Sequence, residues 1–145
     1  MGAWAKLLVH LGRKVGKPAS AGEDPLGELR AVIDATKSLR AESGRLSARA
    51  VARVFDLSVA ELARLLGRTR QAVSKTDDAE SLQRGLAPFA RVARLQAAVS
   101  EKDFRAWLHL ANRHLGDRQP LELIGEGHVE VVADLVDDML TGSPG

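Results

Sequence analysis

Apolar residues recur every three or four positions along most of this 145-residue chain, and no stretch sustains an alternation of period two. The first pattern is typical of amphipathic helices, whereas the second would indicate strands. Alanine, leucine and arginine dominate the composition and aromatic residues make up only 3%, which favours helix over strand by intrinsic propensity. The sequence therefore predicts an all-α fold, with enough apolar residues for one or two small helical domains.

Residues 1–45 are predicted to form N-terminal amphipathic helices and a linker. Residues 16–25, rich in glycine, proline and alanine, are typical of a linker, and Pro25 opens the second helix. The first helix carries an apolar stripe of Trp4, Leu7, Leu8, Leu11 and Val15, and the second carries a stripe of Leu26, Leu29, Val32, Ile33 and Leu39 that we expect to be buried. Periodicity leaves two roles open for the Trp4 helix and for Leu26, Leu29 and Ile33, which are dimer contacts or packing within one chain. For the Trp4 helix a third role is open, that of a membrane or scaffold anchor.

Charge is distributed unevenly, although the formal net charge is only +2. Residues 1–75 carry 14 lysines and arginines against seven acids, whereas residues 119–145 carry six acids and no lysine or arginine. Such an asymmetry favours a basic end that approaches nucleic acid and an acidic end that meets another partner. Two ordinary solvated surfaces would give the same pattern, so charge alone leaves both interpretations open.

Residues 58–75 have the spacing of a helix-turn-helix motif. Two steeply crossing helices need a small residue at the crossing, a turn residue that tolerates positive φ, and an apolar residue that seats the second helix. Ala63, Gly67 and Val73 meet these needs, and the spacing resembles the helix-turn-helix of the Xre-type, phage-repressor-like family. If the motif binds DNA, the second helix enters the major groove. The residues that would then face bases or phosphates are Arg68, Thr69, Arg70, Gln71, Ser74 and Lys75.

A purely structural role for this motif also stays open, because helix-turn-helix geometry serves as plain packing in other helical domains. In addition, Thr76, Asp77 and Asp78 follow the second helix, where a DNA-binding version usually continues with an apolar or aromatic residue. Two acids close to a phosphate backbone lower the electrostatic part of the affinity.

A second motif covers residues 104–145 and extends over three predicted helices. Its order is Trp-Leu, Asn-Arg-His-Leu, Pro-Leu-Glu-Leu-Ile, a glycine, and a Val/Leu-rich helix that ends in Thr-Gly. This order resembles the toxin-binding domain of the Xre/MbcA/ParS antitoxin family. The family commonly has proline before the asparagine, where this chain has Ala111 before Asn112.

The resemblance implies a partner protein. Antitoxins of this type pair with RES-domain toxins, which consume NAD or use it to modify a target, and the antitoxin's C-terminal region covers the toxin's active-site entrance. The family typically forms dimers, so a homodimer is implied as well. Carried over to this chain, the toxin-binding residues would be the acidic face of the last helix and the tail. They are Glu130, Asp134, Asp137, Asp138, Leu140, Thr141, Gly142, Ser143, Pro144 and Gly145.

No residue pattern points to catalysis, a metal site or a cofactor. The chain has no cysteine, and His109 and His114 are five residues apart rather than the three or four that place two ligands on one helix face. The serines lack a nucleophile elbow, and the adjacent Asp137 and Asp138 diverge by about a quarter turn of helix. Trp107 is more typical of a core residue than of a ligand-stacking one. We therefore predict a non-enzymatic protein.

The sequence as a whole predicts the antitoxin of a type II toxin–antitoxin system, which neutralises a RES-type toxin and represses its own operon. The predicted domains are the N-terminal helices and linker (1–45), an Xre-like helix-turn-helix domain (46–99) and a toxin-binding domain (100–145). No apolar run approaches the roughly 20 residues of a membrane span, so we expect a cytoplasmic protein without membrane contact. The alternative is a stand-alone helix-turn-helix transcriptional regulator, which would not need the acidic C-terminus.

Overall fold

The computed structural model describes residues 26–142, which form eight α-helices and two short 3₁₀ turns and contain no strand. The all-α prediction is confirmed for this part of the chain. The helices are α1 (Gly27–Lys37), α2 (Ala48–Val54), α3 (Val59–Leu65), α4 (Arg70–Lys75), α5 (Glu80–Ala93), α6 (Glu101–Leu108), α7 (Pro120–Gly125) and α8 (Val129–Thr141), and the 3₁₀ turns are Arg94–Ala97 and Arg113–Leu115. The predicted Trp4 helix, the linker 16–25 with Pro25, and the tail residues Ser143, Pro144 and Gly145 lie outside the described residues.

Four of these helices begin at a hydroxyl side chain. Ser47, Ser58, Thr69 and Ser100 each accept a hydrogen bond from the backbone N–H three residues further on, at 3.0–3.2 Å. Such caps satisfy one of the donors that a helix start leaves unpaired. The side chain of Glu61 also accepts from the Ser58 N–H, which completes a capping box. Ser47, Ser58 and Thr69 each precede an apolar helical stretch in the sequence, which predicts a cap at each, and the structure confirms all three. The cap at Ser100 was not predicted.

A continuous apolar core runs from the end of α1 to α8, with four aromatic rings near its centre. The Phe55 ring meets Phe89 and Phe104 edge to face, with centroids 5.3 and 5.7 Å apart, and Phe104 stacks on Trp107 at 6.3 Å. All four side chains are buried, which confirms Trp107 as a core residue. We call this group the aromatic cluster. It joins the C-terminus of α2 to α5 and α6. It therefore links the part of the chain from α2 to α4, which we call the helix-turn-helix segment, to the part from α6 to α8, which we call the C-terminal segment.

The apolar stripe of α1 differs from the predicted one. Leu26, Leu29 and Ile33 are 51–54% exposed, so packing within the described part of the chain is wrong for these three, and their role as dimer contacts stays a prediction. The rest of the predicted stripe faces the core, since Leu39 is buried just after the helix and Val32 is half-buried. Ala35 and Thr36 join them where α1 packs against the 3₁₀ turn 94–97 and α5. Thr36 tolerates burial because its hydroxyl donates to the carbonyls of Val32 and Ile33, both at 3.2 Å.

The apolar spacing of Leu86, Phe89 and Val92 predicts a helix with Pro88 near its first turn, but helix α5 begins earlier. It spans Glu80–Ala93, with Pro88 inside it. Proline removes one intrahelical hydrogen bond, and the carbonyl that loses its donor belongs to Arg84, an exposed residue that water can reach. The helix continues through Pro88 because its apolar stripe packs on α2 and α8 along its length. The buried residues of that stripe are Leu82, Leu86, Phe89, Val92 and Ala93.

Substituting Phe104→Ala removes the ring that bridges Phe55 and Trp107. We expect the free energy of unfolding in urea to fall by about 3–5 kcal/mol, because a large cavity opens in a shared core. Val131→Ala, at a position 51% exposed, serves as the control and should change it by less than about 0.5 kcal/mol. A loss near that of the control, or separate transitions for the two segments, would contradict a core shared through the aromatic cluster.

Candidate functional site

The two helices of the predicted helix-turn-helix motif are α3 and α4, and they pack on each other. Ala63 and Val73 are 1% and 0% exposed, as a crossing residue and a seating residue should be. Gly67 follows α3 with φ +69°, a conformation that glycine adopts without strain. The Arg68 N–H then donates to the Ala63 carbonyl at 2.9 Å and closes the turn. The burial of Ala63 and Val73 and the positive φ of Gly67 are therefore those that the spacing predicted.

The six residues predicted to contact DNA lie on and just before α4, and we call them the α4 surface (Arg68, Thr69, Arg70, Gln71, Ser74 and Lys75). Five of them are exposed and Ser74 is half-buried. Thr69 caps α4, and the Arg68 guanidinium lies 3.5 Å from the Ser81 carbonyl. Within residues 26–142 the side chains of Arg70, Gln71 and Lys75 make no hydrogen bond or ion pair, so these three are available to a partner.

The two acids that follow α4 are bound within the chain. The Asp77 carboxylate accepts from the Ser47 hydroxyl at 2.6 Å, and the Asp77 carbonyl accepts from the Ala48 N–H at 2.7 Å. Asp78 accepts from the Ser43 hydroxyl at 2.7 Å and lies 3.6 Å from the Arg45 guanidinium. The Ser43 hydrogen bond and the Arg45 charge lower the pKa of Asp78. These acids therefore fasten the end of α4 to the start of α2, which their position in the sequence did not indicate.

Gln83 on α5 holds the loop to which these acids bind. Its side-chain amide accepts from the Leu46 N–H at 2.8 Å and donates to the Leu46 carbonyl at 2.9 Å. This pairing is equivalent to one rung of a β-ladder, and it fixes the backbone immediately before the α2 cap. Gln83 lies 37 residues from Leu46, so no local pattern in the sequence indicates the contact.

The predicted toxin-binding residues fall on α8, and we call the described ones the α8 surface (Glu130, Asp134, Asp137, Asp138, Leu140, Thr141 and Gly142). Asp134 and Asp137 form ion pairs with Arg91 of α5 at 2.7 and 2.6 Å, and the Asp137 and Asp134 hydrogen bonds raise the pKa of Arg91. Leu140 is half-buried against the core. Asp134 and Asp137 are therefore paired within the chain and Leu140 is packed within it. The other two carboxylates of the α8 surface, Glu130 and Asp138, are exposed and form no ion pair with the described residues.

An exposed apolar residue, Val131, lies beside Glu130 on α8 and was not among the predicted partner-binding residues. The helix ends at Thr141, and Gly142 adopts a left-handed conformation, φ +70°. Glycine at this position stops the helix and redirects the chain that follows it. Val131 could have been found from the helical period, because it falls outside the stripe of Val132, Leu135 and Val136.

The loop between α6 and α7 is shaped by Asn112, the asparagine of the C-terminal motif. Its buried side chain accepts from the His114 N–H at 2.9 Å, and its carbonyl accepts from the backbone of Leu115 and Asp117. Arg118 then pairs with Glu122 and Glu126 of the next helix. The loop is thus ordered by its own hydrogen bonds, although Ala111 stands where the family commonly has proline.

Three polar contacts join the helix-turn-helix segment to the C-terminal segment. The guanidinium of Arg64 on α3 donates to the Gly125 carbonyl at 3.2 Å. Arg105 on α6 lies 3.4 Å from the Arg53 carbonyl at the end of α2. The imidazole of His109 lies 3.4 Å from the carboxylate of Asp56, in the turn before α3. These contacts add to the aromatic cluster in holding the two segments together.

Within the described residues, no group of three or more His, Cys, Asp or Glu side chains is placed to hold a metal ion. In the same part of the chain, no helix is both long enough and apolar enough to cross a membrane.

Residues 94–142 match a family model described as the antitoxin Xre/MbcA/ParS C-terminal toxin-binding domain. The match extends from the 3₁₀ turn after α5 to the end of α8 and confirms the resemblance drawn from the C-terminal motif. No curated protein and no solved structure matches the chain.

Substituting Asp77→Ala removes the carboxylate that accepts from the α2 cap. We expect the free energy of unfolding to fall by about 1–2 kcal/mol, because a charge-assisted hydrogen bond to a buried hydroxyl is lost. Urea denaturation followed by circular dichroism measures this change. Asp34→Ala on the exposed side of α1 removes the same charge and should have little effect. Equal stabilities for the two variants would contradict the fastening role of Asp77.

Proposed function

We propose that this chain is the antitoxin of a toxin–antitoxin pair and acts by stoichiometric binding, without chemistry of its own. The observation that carries the proposal is the match of residues 94–142 to an antitoxin toxin-binding domain. We further propose that the partner is a RES-type toxin that consumes NAD, and that both proteins act in the cytoplasm. The exposed carboxylates of the α8 surface support this choice of partner.

We propose that carboxylates of the α8 surface contact cationic side chains around the entrance of the toxin's pocket. A pocket that receives the pyrophosphate of NAD is normally lined with arginine or lysine. Glu130 and Asp138 are exposed on α8 and lie outside the ion pairs of Arg91, so they are available to cations on the toxin. The tail after Gly142 continues from the same helix end and completes the proposed contact. Complementary charge of this kind speeds encounter and fixes register.

Reversing both charges, with Glu130→Lys and Asp138→Lys together, should weaken neutralisation. Two attractive pairs become repulsive, and we expect affinity for the toxin to fall about tenfold or more. The measurement is growth and cellular NAD in cells that express the neighbouring open reading frame, with binding checked by co-purification.

The matched control carries Asp34→Lys and Glu42→Lys, which make the same charge change at exposed positions on and after α1. It should rescue growth as well as the unaltered chain does. If the neighbouring gene product is harmless, or if both double variants rescue equally, the proposed toxin contact is wrong. Sequence-specific DNA binding without any partner protein would then favour the stand-alone regulator.

We also propose that the α4 surface binds operator DNA and represses the chain's own operon. Arg70, Gln71 and Lys75 are exposed side chains of the kinds that contact base edges and phosphates. Of the two acids after α4, whose charge opposes DNA binding, Asp78 pairs with Arg45 and accepts from Ser43, so its charge is partly compensated before any DNA approaches. Asp77 accepts from the neutral Ser47 hydroxyl, which orients the carboxylate and leaves its charge in place.

The exposed apolar side of α1 supports a homodimer. Leu29 and Ile33 are each 54% exposed and lie one turn apart on the same side of the helix. Apolar side chains exposed together in this way are typical of protein–protein contacts. We propose that a second copy of the chain covers them.

Introducing Leu29→Glu and Ile33→Glu together should convert the dimer to a monomer, because two carboxylates would be buried in an apolar interface. Sedimentation velocity on the full chain measures the mass. Val131→Glu, which places the same charge on another exposed apolar position, should leave the dimer intact. A monomeric unaltered chain, or a double variant of unchanged mass, would contradict this role of α1.

A further inference from the structure

Arg49 lies outside the predicted helix-turn-helix motif, yet its side chain lies at the end of α4. It is the second residue of α2 and is exposed. One guanidinium N–H donates to the Ser74 carbonyl at 3.1 Å. The last carbonyls of a helix have no intrahelical donor and carry partial negative charge, so they attract a cation. The contact places the charge of Arg49 beside Lys75, the last residue of α4.

Arg49 adds a charge to a helix that already carries several cations. Arg70 and Lys75 are the first and last residues of α4, and Arg68 lies just before its cap. The carboxylates that the structure fastens at the end of α4 are Asp77 and Asp78. Asp77 accepts from Ser47 and Asp78 from Ser43, and Arg45 supplies the ion pair of Asp78. Within residues 26–142 no carboxylate forms an ion pair with Arg49.

We infer that Arg49 binds a phosphate of the DNA backbone beside α4 and extends the α4 surface onto α2. This inference rests on the DNA-binding part of the proposed function. A guanidinium has five N–H donors in a planar fork. The Ser74 carbonyl takes one and fixes the orientation of the group, and the remaining donors present the bidentate geometry that suits a phosphate. Such a contact positions the protein on the duplex and is independent of base sequence.

The alternative role for Arg49 is that of a helix cap, which stabilises α4 and touches no DNA. Two substitutions separate these roles. Arg49→Gln loses the charge and keeps N–H donors on a shorter side chain, whereas Arg49→Lys keeps the charge and a donor and loses the fork. A cap is sensitive to the donor, but the salt dependence of DNA binding is sensitive to the charge.

The experiment measures the affinity of the full chain for two duplexes of equal length over a range of salt concentrations. One duplex carries the region upstream of the chain's own gene, and the other carries unrelated sequence. For Arg49→Gln we expect affinity for both duplexes to fall by the same factor, about eightfold near 0.1 M salt, and the slope of log K against log salt to decrease by about 0.9. Arg49→Lys should keep the slope.

Two further variants serve as references. Lys102→Gln removes a charge from the second residue of another helix, α6, and should leave both affinities unchanged. Gln71→Ala should reduce the preference for the upstream duplex and keep the salt slope, because it alters a base contact.

If the unaltered chain binds neither duplex, the DNA-binding part of the proposed function and this inference both fail. Another outcome is that the chain binds DNA while Arg49→Gln shows the same affinity and the same salt slope as the reference variant Lys102→Gln. In that case only this inference is overturned, and Arg49 is a cap.

Discussion

The aromatic cluster is the contact on which the rest of this structure depends. It uses all three phenylalanines of the chain and one of its two tryptophans, and the rings come from elements far apart in the sequence. Because Phe55 ends α2, Phe89 lies in α5 and Trp107 lies in α6, neither the helix-turn-helix segment nor the C-terminal segment completes its core alone. The α4 and α8 surfaces are therefore attached to one body rather than to two independent ones.

Helix α5 contacts the supports of both the α4 surface and the α8 surface, one near its start and the other near its end. Near its start, Gln83 holds the loop before α2, and that loop binds the two acids after α4. Two turns later Arg91 binds α8. A shift of α5 would disturb both surfaces, since close-packed cores move as units. The proline within α5 is tolerated because tertiary packing, rather than a complete set of hydrogen bonds, holds this helix in place.

Local patterns in the sequence predicted local features well. Ser47, Ser58 and Thr69 were recognisable as caps because a cap acts on a backbone group three residues away. The apolar stripe of α1 was predicted only in part, because Val32 and Leu39 face the core whereas Leu29 and Ile33 are exposed. Periodicity defines a stripe but does not show what the stripe meets. Arg91, Gln83 and Arg49 were missed because their partners lie 25 to 46 residues away. Only the tertiary fold brings such pairs together.

The acidity of the C-terminal segment shows why charge counted along a sequence differs from charge offered to a partner. Residues 119–145 contain six acids, of which Glu122 and Glu126 pair with Arg118, and Asp134 and Asp137 pair with Arg91. The remaining two are Glu130 and Asp138, eight residues apart on α8 and hence about 12 Å along its axis. Each arginine carries one positive charge against two carboxylates, so both clusters keep a net charge of −1. Glu130 and Asp138 are the two of the six that have no cation of their own in the described part of the chain, and they therefore give a partner its least screened carboxylates.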